Sequence, residues 1–298
     1  MDGLIRFIYC ADGDVFGGYV RDILAGGPSE VKDLDCRIDP EKCGVFMNFV
    51  SLDYDVTINV TGANYRSMGV VSYSLRPKGL RDDASVFKMD VLLCHSNKWS
   101  GYPGDFDVNQ LVKNNNGTYV RPLVSLGLLH AMCRFDTIVE RCVARKFALI
   151  SLPSNVFLDI LTLLIRANDM VHRGWIMDDM YLGRRSWIIN KWSVICDDTE
   201  GVRTKYSESA IAALKCQSEC SLCQEAFGPD DVVINTCCNH NFHWTCSQEN
   251  SGLLYWYRLK QSFLCPYCRQ HSVHYILPYT PTAIAGTAAA SISSVATA

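Results

Sequence analysis

The sequence has no apolar run long enough to cross a membrane. Its most apolar stretch, Val156 to Ile165, is interrupted by Asp159, whereas a spanning helix needs about 20 apolar residues. The stretch therefore reads as a core helix, and no membrane partner is expected. The amino terminus lacks the pattern of a secretory leader. Excess charge of one sign is missing too: 28 lysines and arginines face 31 aspartates and glutamates, a net charge of −3. That balance removes an overall electrostatic footprint for nucleic acid, while leaving room for a local basic groove. Internal repeats are absent. Paired cysteine spacing is absent from most of the chain as well: Cys10, Cys36, Cys43, Cys94, Cys133, Cys142, Cys196 and Cys216 are scattered. Scattered cysteines are expected to be reduced, mostly buried thiols in an intracellular protein, not disulfides. The tail after Pro281 has no charge and is built mostly from Ala, Ser, Thr and Gly, a low-complexity composition. What remains is ordinary for a globular chain: 298 residues, 48% hydrophobic and 20% charged, enough for two compact domains or one domain with a small appendage.

One segment departs from this even composition. Cys220-x2-Cys223 is followed by Cys238-x-His240-x2-His243-x2-Cys246 and then by Cys265-x2-Cys268. Zinc takes four ligands in a tetrahedron, and a two-residue gap lets a tight turn aim two sulfurs at one ion. Eight such ligands are too many for one metal and the right number for two. Cys237 competes with Cys238, since neighbours in extended chain point opposite ways and only one of them can serve.

This residue order resembles the RING finger in its two-histidine form, over about residues 216–274. The resemblance selects Cys238 and implies two structural zinc ions in a cross-brace. Cys220, Cys223, His243 and Cys246 would hold the first, and Cys238, His240, Cys265 and Cys268 the second. It also implies a ubiquitin-protein ligase that recruits a ubiquitin-conjugating enzyme charged with ubiquitin and orients the thioester toward a protein substrate. Such catalysis works by proximity. Leu222, Trp256 and Pro266 stand where the family places its apolar groove for the conjugating enzyme. Arg269 stands where active members carry a linchpin arginine, whose planar fork can bond two partners at once. The 18 residues between Cys246 and Cys265 exceed the gap of compact members.

The front half carries a second constellation. Phe16-Gly17-Gly18-Tyr19-Val20-Arg21-Asp22 is followed by Lys32-Asp33-Leu34-Asp35. Aspartates two apart on a strand face the same side, and paired carboxylates suit divalent metals. A Gly-Gly turn before a helix offers free N–H groups to phosphate. With Asp90 on a later strand and Asp105-Phe106-Asp107-Val108-Asn109 beyond it, the set resembles the head of the tRNA CCA-adding and poly(A) polymerase nucleotidyltransferases. The resemblance implies that Asp33, Asp35 and Asp90 bind magnesium and that Gly17, Gly18 and Arg21 hold phosphates, with nucleotide or RNA as ligand. Pro103-Gly104 replaces the family's arginine pair, and no Glu-Asp-x-x-Arg element follows.

The expected fold is therefore α+β: a mixed-sheet, nucleotidyltransferase-like head over 1–123, a helical middle segment over 124–196, a linker and short helix over 197–215, a cross-braced two-zinc RING domain over 216–274, and a tail over 275–298. Turn signals predict strands at Leu34–Ile38, Tyr54–Val60, Gly69–Tyr73 and Val86–Cys94, and a helix at Tyr19–Ala25. Apolar spacing predicts helices between Val124 and Met170, broken at Ser151–Asn155, and another over Arg184–Ile195. A RING beside such a head is similar to combinations found in large DNA viruses.

Overall fold

The computed structural model describes residues 2–27, 33–59, 69–79, 86–95, 105–120, 134–149, 157–177, 187–196 and 216–273. The first helix, α1 (Asp2–Cys10), buries Leu4 and Ile8, one turn apart on a single face. It leads through β1 (Asp14–Phe16) into α2 (Gly18–Leu24). Gly17 caps that helix with φ +68°, a backbone region that disfavours any side chain. Then come β2 (Asp33–Ile38), α3 (Cys43–Asp53), β3 (Tyr54–Ile58), β4 (Val70–Pro77), β5 (Phe87–Leu93), β6 (Leu111–Asn114) and β7 (Gly117–Val120).

These strands form one sheet in the order β3-β4-β5-β2-β1-β6-β7. Only β2 and β5 run parallel; the other neighbours are antiparallel. The head is thus the mixed sheet expected, and the predicted strand positions coincide with β2 to β5, apart from Val60, which lies outside the described residues. The parallel pairing sets Asp33 opposite Lys88 and Asp35 opposite Asp90. With side chains alternating along each strand, all four project from one face.

Two further helices, α4 (Phe135–Val143) and α5 (Phe157–His172), alternate with the short parallel strands β8 (Lys146–Phe147) and β9 (Ile176–Met177). The predicted break between the helices lies outside the described residues, as do the linker, its short helix and the tail. Head and middle segment share one core. Arg141 Nε lies 2.5 Å from the fully buried Asp107 carboxylate, whose other oxygen accepts the N–H groups of Val108 and Ala148 at 2.8 Å. Phe106 packs edge-on against Phe147 at 4.9 Å.

The structure departs from expectation at Arg184–Ile195. Instead of a helix, Trp187–Lys191 is a strand, β10, followed by only a short helix, α6 (Trp192–Cys196). The sequence Trp-Ile-Ile-Asn-Lys is rich in residues that favour strands, and a partner far along the chain decides the outcome. That partner is β11 (Val232–Thr236), which pairs with β10 on one side and β12 (Asn241–His243) on the other. The last helix, α7 (Leu253–Lys260), completes the carboxyl-terminal module. Buried residues from Leu4 to Val273 form one continuous apolar cluster. Among the described residues no helix is long and apolar enough to cross a membrane.

Candidate metal centre

The two Cys-x2-Cys turns fold alike because each is closed by the same pair of backbone bonds. Gln224 N donates to Cys220 O at 2.7 Å and Cys220 N to Glu225 O at 2.9 Å; Arg269 N donates to Cys265 O at 3.0 Å and Cys265 N to Gln270 O at 2.8 Å. In both, the residue after the second cysteine is left-handed, Gln224 at φ +62° and Arg269 at φ +63°. The middle ligands sit on the β11–β12 hairpin. Its turn has Asn239 at φ +63°, a conformation asparagine tolerates better than most residues, and Thr236 Oγ1 accepts the N–H of His240 at 3.2 Å.

These local folds bring the donors into two clusters: Cys220, Cys223, His243 and Cys246, and separately Cys238, His240, Cys265 and Cys268. Within each, the ligand atoms lie within 4.8 Å of one another. His243 Nδ1 is 3.4 Å from Cys223 Sγ, and His240 Nδ1 is 3.4 Å from Cys238 Sγ and 3.7 Å from Cys265 Sγ. Pairs alternate between clusters along the chain, which is the cross-brace. Cys237 turns away, its thiol donating to His271 O at 3.0 Å.

The donor set fits zinc. Burial pushes the Cys246 and Cys265 thiols up to about 12, and neighbouring sulfurs add to the effect. Burial pushes Cys220 up as well, but the His243 side chain and the backbone N–H groups of Cys223 and Leu222 outweigh it and hold this thiol down at about 6. Crowded sulfurs of this kind repel as thiolates unless a dication sits among them. His243 Nε2 meets Asp231 Oδ2 at 3.2 Å; a carboxylate there fixes the ring so that Nδ1 faces the sulfurs. Asp231 escapes sequence reading because it lies outside the ligand spacing.

This arrangement matches one known family. The Ring finger domain family matches residues 218–269. The segment is a RING finger. Among solved structures, a CCA-adding enzyme with CTP shares 15% identity at a TM-score of 0.38, over 59% of this chain and 39% of that one. The same enzyme type with ATP gives 15% identity and a TM-score of 0.35 over the same shares. The Thermotoga maritima CCA-adding enzyme complexed with tRNA gives 16% identity and 0.36, over 72% of this chain and 42% of that one. The chain spans about two fifths of these enzymes' length. No curated protein matches it.

Around the RING's Trp256 the structure places Arg269 and Lys260. Trp256 Nε1 donates to Leu264 O at 2.9 Å. The Arg269 guanidinium lies 5.7 Å and the Lys260 ammonium 5.2 Å from the ring centre, within cation–π range. Leu222 and Trp256 pack at the edge of the core and Pro266 is half-buried beside the last knuckle. The helix carrying Trp256 needs glycine before it. A Cβ on Gly252 would stand 2.7 Å from Trp244 O and 2.8 Å from Cys246 N.

The head site assembles only in part. Asp35 and Asp90 are direct partners across the parallel strands. Burial, then Asp90, then Asp33 push the Asp35 carboxyl up to about 6 against the pull of Arg166 and Lys88. Gly17 roofs it, since a Cβ there would lie 2.9 Å from Asp35 Oδ2. One Asp90 oxygen is buried without a hydrogen bond; the other takes Lys88 Nζ at 2.9 Å. Asp35 and Asp90 thus form a carboxylate pair across the two strands. Among the described residues, however, the donor groups that converge within 4.8 Å are the two RING clusters, and Asp33, Asp35 and Asp90 do not form a third. Asp33 is exposed at the strand's start. Arg21 is buried under Gly18, its guanidinium held by Asp22 at 2.7 and 2.9 Å and by Asn109 at 2.9 Å, and stacked 5.1 Å over Trp175. It clamps the turn to the core.

Proposed function

We propose that this protein is a RING-type ubiquitin ligase acting inside the cell, with the RING at 216–274 as its effector end and the head at 1–123 as its recognition end. The observation that carries the reading is the pair of alternating zinc-type clusters beside Trp256 and Arg269. Zinc in the clusters supplies a structural cross-link for a module too small to be stable unaided. Leu222, Trp256 and Pro266 offer apolar contact to a ubiquitin-conjugating enzyme. Arg269, held against Trp256, presents donors to both the enzyme and its ubiquitin. No covalent step occurs on the RING; holding the charged thioester in one orientation raises the rate of transfer to a protein substrate. The test is autoubiquitination with a panel of conjugating enzymes. Wild type is expected to form chains, Cys238→Ala to form none, and Arg269→Ala to be strongly reduced. Silence of the wild type with every enzyme overturns the reading.

A second reading, favoured by the Asp35–Asp90 pair beneath Gly17, makes the head a magnesium-dependent nucleotidyltransferase or an inactive platform for nucleotide or RNA. Nucleotide incorporation that disappears in Asp90→Asn would favour it.

A further inference from the structure

We propose that residues 187–196 are an integral part of the RING finger, and that Trp192 and Asp231 position His243, so that loading of the first zinc site and docking of the RING on the body are one event. This rests on the zinc reading above. Strand β10 pairs with β11 along its whole length, from Trp187 opposite Thr236 to Lys191 opposite Val232. Without it β11 would be an edge, with its outer N–H and C=O groups unpaired beside the fully buried Val233 and Ile234.

Beyond the strand, the chain wraps the turn that precedes β11. Trp192 N donates to Asp231 O at 2.8 Å, and Ser193 N to Pro229 O at 3.0 Å. The side chain of Asp231 takes Gly228 N at 2.6 Å and meets His243 Nε2 at 3.2 Å. A second route runs through the rings. Trp192 packs on Phe227 at 4.7 Å, and Phe227 meets His243 edge-on at 4.8 Å. Both routes end on one ligand of the first cluster. Just before this wrap β10 is tied to the body, with Asn190 exchanging bonds with Met177 at 3.2 and 3.3 Å.

The second cluster has a different support. His240 leans on Tyr267, a mostly exposed residue of the RING itself. The two zinc sites therefore differ in what their histidines lean on: His243 on Phe227 and, through it, Trp192, and His240 on Tyr267. A RING fixed this way carries its Trp256 groove at one orientation to the head, as a proximity catalyst requires.

The test uses the full chain. Zinc release to a chromophoric chelator is followed in wild type, Trp192→Ala and Trp192→Phe, with amide hydrogen exchange in parallel. In Trp192→Ala one of the two zinc equivalents is expected to leave about tenfold faster, the scale on which supporting residues tune metal affinity, and the other at the wild-type rate. Amides of Val232–Thr236 should exchange faster. Trp192→Phe keeps a ring on Phe227 and should stay near wild type. Stripping zinc from wild type should reciprocally expose the amides of Ile189–Lys191. Unchanged release in Trp192→Ala, equal acceleration of both equivalents, or a Trp192→Phe variant that behaves like alanine overturns the proposal. A wild-type chain that binds no zinc would instead sink the RING reading. Even then, exchange at Val232–Thr236 that ignores Trp192→Ala would refute the strand's role separately.

Discussion

The RING and the head both gather ligand-type side chains, yet only one of them completes a site. In the RING, eight donors close into two clusters within 4.8 Å, because the two Cys-x2-Cys pairs are set by turns with their own backbone bonds and the middle ligands lie on and just after the β11–β12 hairpin. In the head, Asp35 and Asp90 meet across strands, Asp33 stays outside, and Lys88 already neutralises one Asp90 oxygen. Donors set by local turns arrive already paired, so fewer distant contacts are needed to close a cluster. Donors set by strand pairing converge only when register, neighbouring charge and burial agree.

The contrast breaks most sharply when the metal is removed. Cys238→Ser, or a strong chelator, should unfold the RING, since structural zinc contributes on the order of 10 kcal/mol. Metal analysis should show zinc loss and hydrogen exchange should show β11 and β12 opening, while β2 and β5 in the head stay protected. Opening of the head to the same extent would erase the distinction. Gly252→Ala strains the turn before α7 without replacing a ligand. A Cβ in close contact with Trp244 O at φ +104° should cost about 3 kcal/mol, lowering the melting temperature and loosening α7.

The head's answer to pH should run the other way from an ordinary carboxylate. Asp35 holds its proton up to about 6 in the folded chain, against an ordinary 3.8. Its contribution to stability is therefore full below about pH 4 and is lost as pH rises through 6. The loss is at most roughly 3 kcal/mol, since each pK unit is worth about 1.4 kcal/mol. Asp35→Asn should flatten that slope and raise the melting temperature at pH 8; a melting temperature that falls there would show that the carboxylate has a stabilising partner. The smallest effect is expected at Arg269. Replacement by alanine removes a contact with Trp256 worth about 1 kcal/mol, leaving both zinc ions bound and the melting temperature nearly unchanged while ligase activity drops.

How far these features could be read in advance differs residue by residue. The choice of Cys238 over Cys237 was legible through the resemblance to the RING pattern, since alternation says only that one of the two serves, and Cys237 does turn to His271 O. The head's strands were legible from alternation and turns. The setting of Arg21 was not: Asp22, Asn109 and Trp175 hold it, and two of those lie far along the chain. Asp231, Trp192 and Phe227 carry no ligand spacing, so nothing local marks them as supports of His243.

By itself, then, the sequence determined what depends on short range: eight ligands in order, the knuckles that aim them, the strands of a mixed sheet and the acidic pair on one face. Tertiary structure alone decided that Trp187–Lys191 is a strand, that the RING is joined to the body through it, and that the carboxylates pair without closing a three-carboxylate site. The reason is physical. Ligand spacing within a turn is set by bond geometry, whereas the fate of Ile189 or Arg21 depends on partners tens of residues away, and no local preference outweighs a paired edge or a buried guanidinium's need for acceptors.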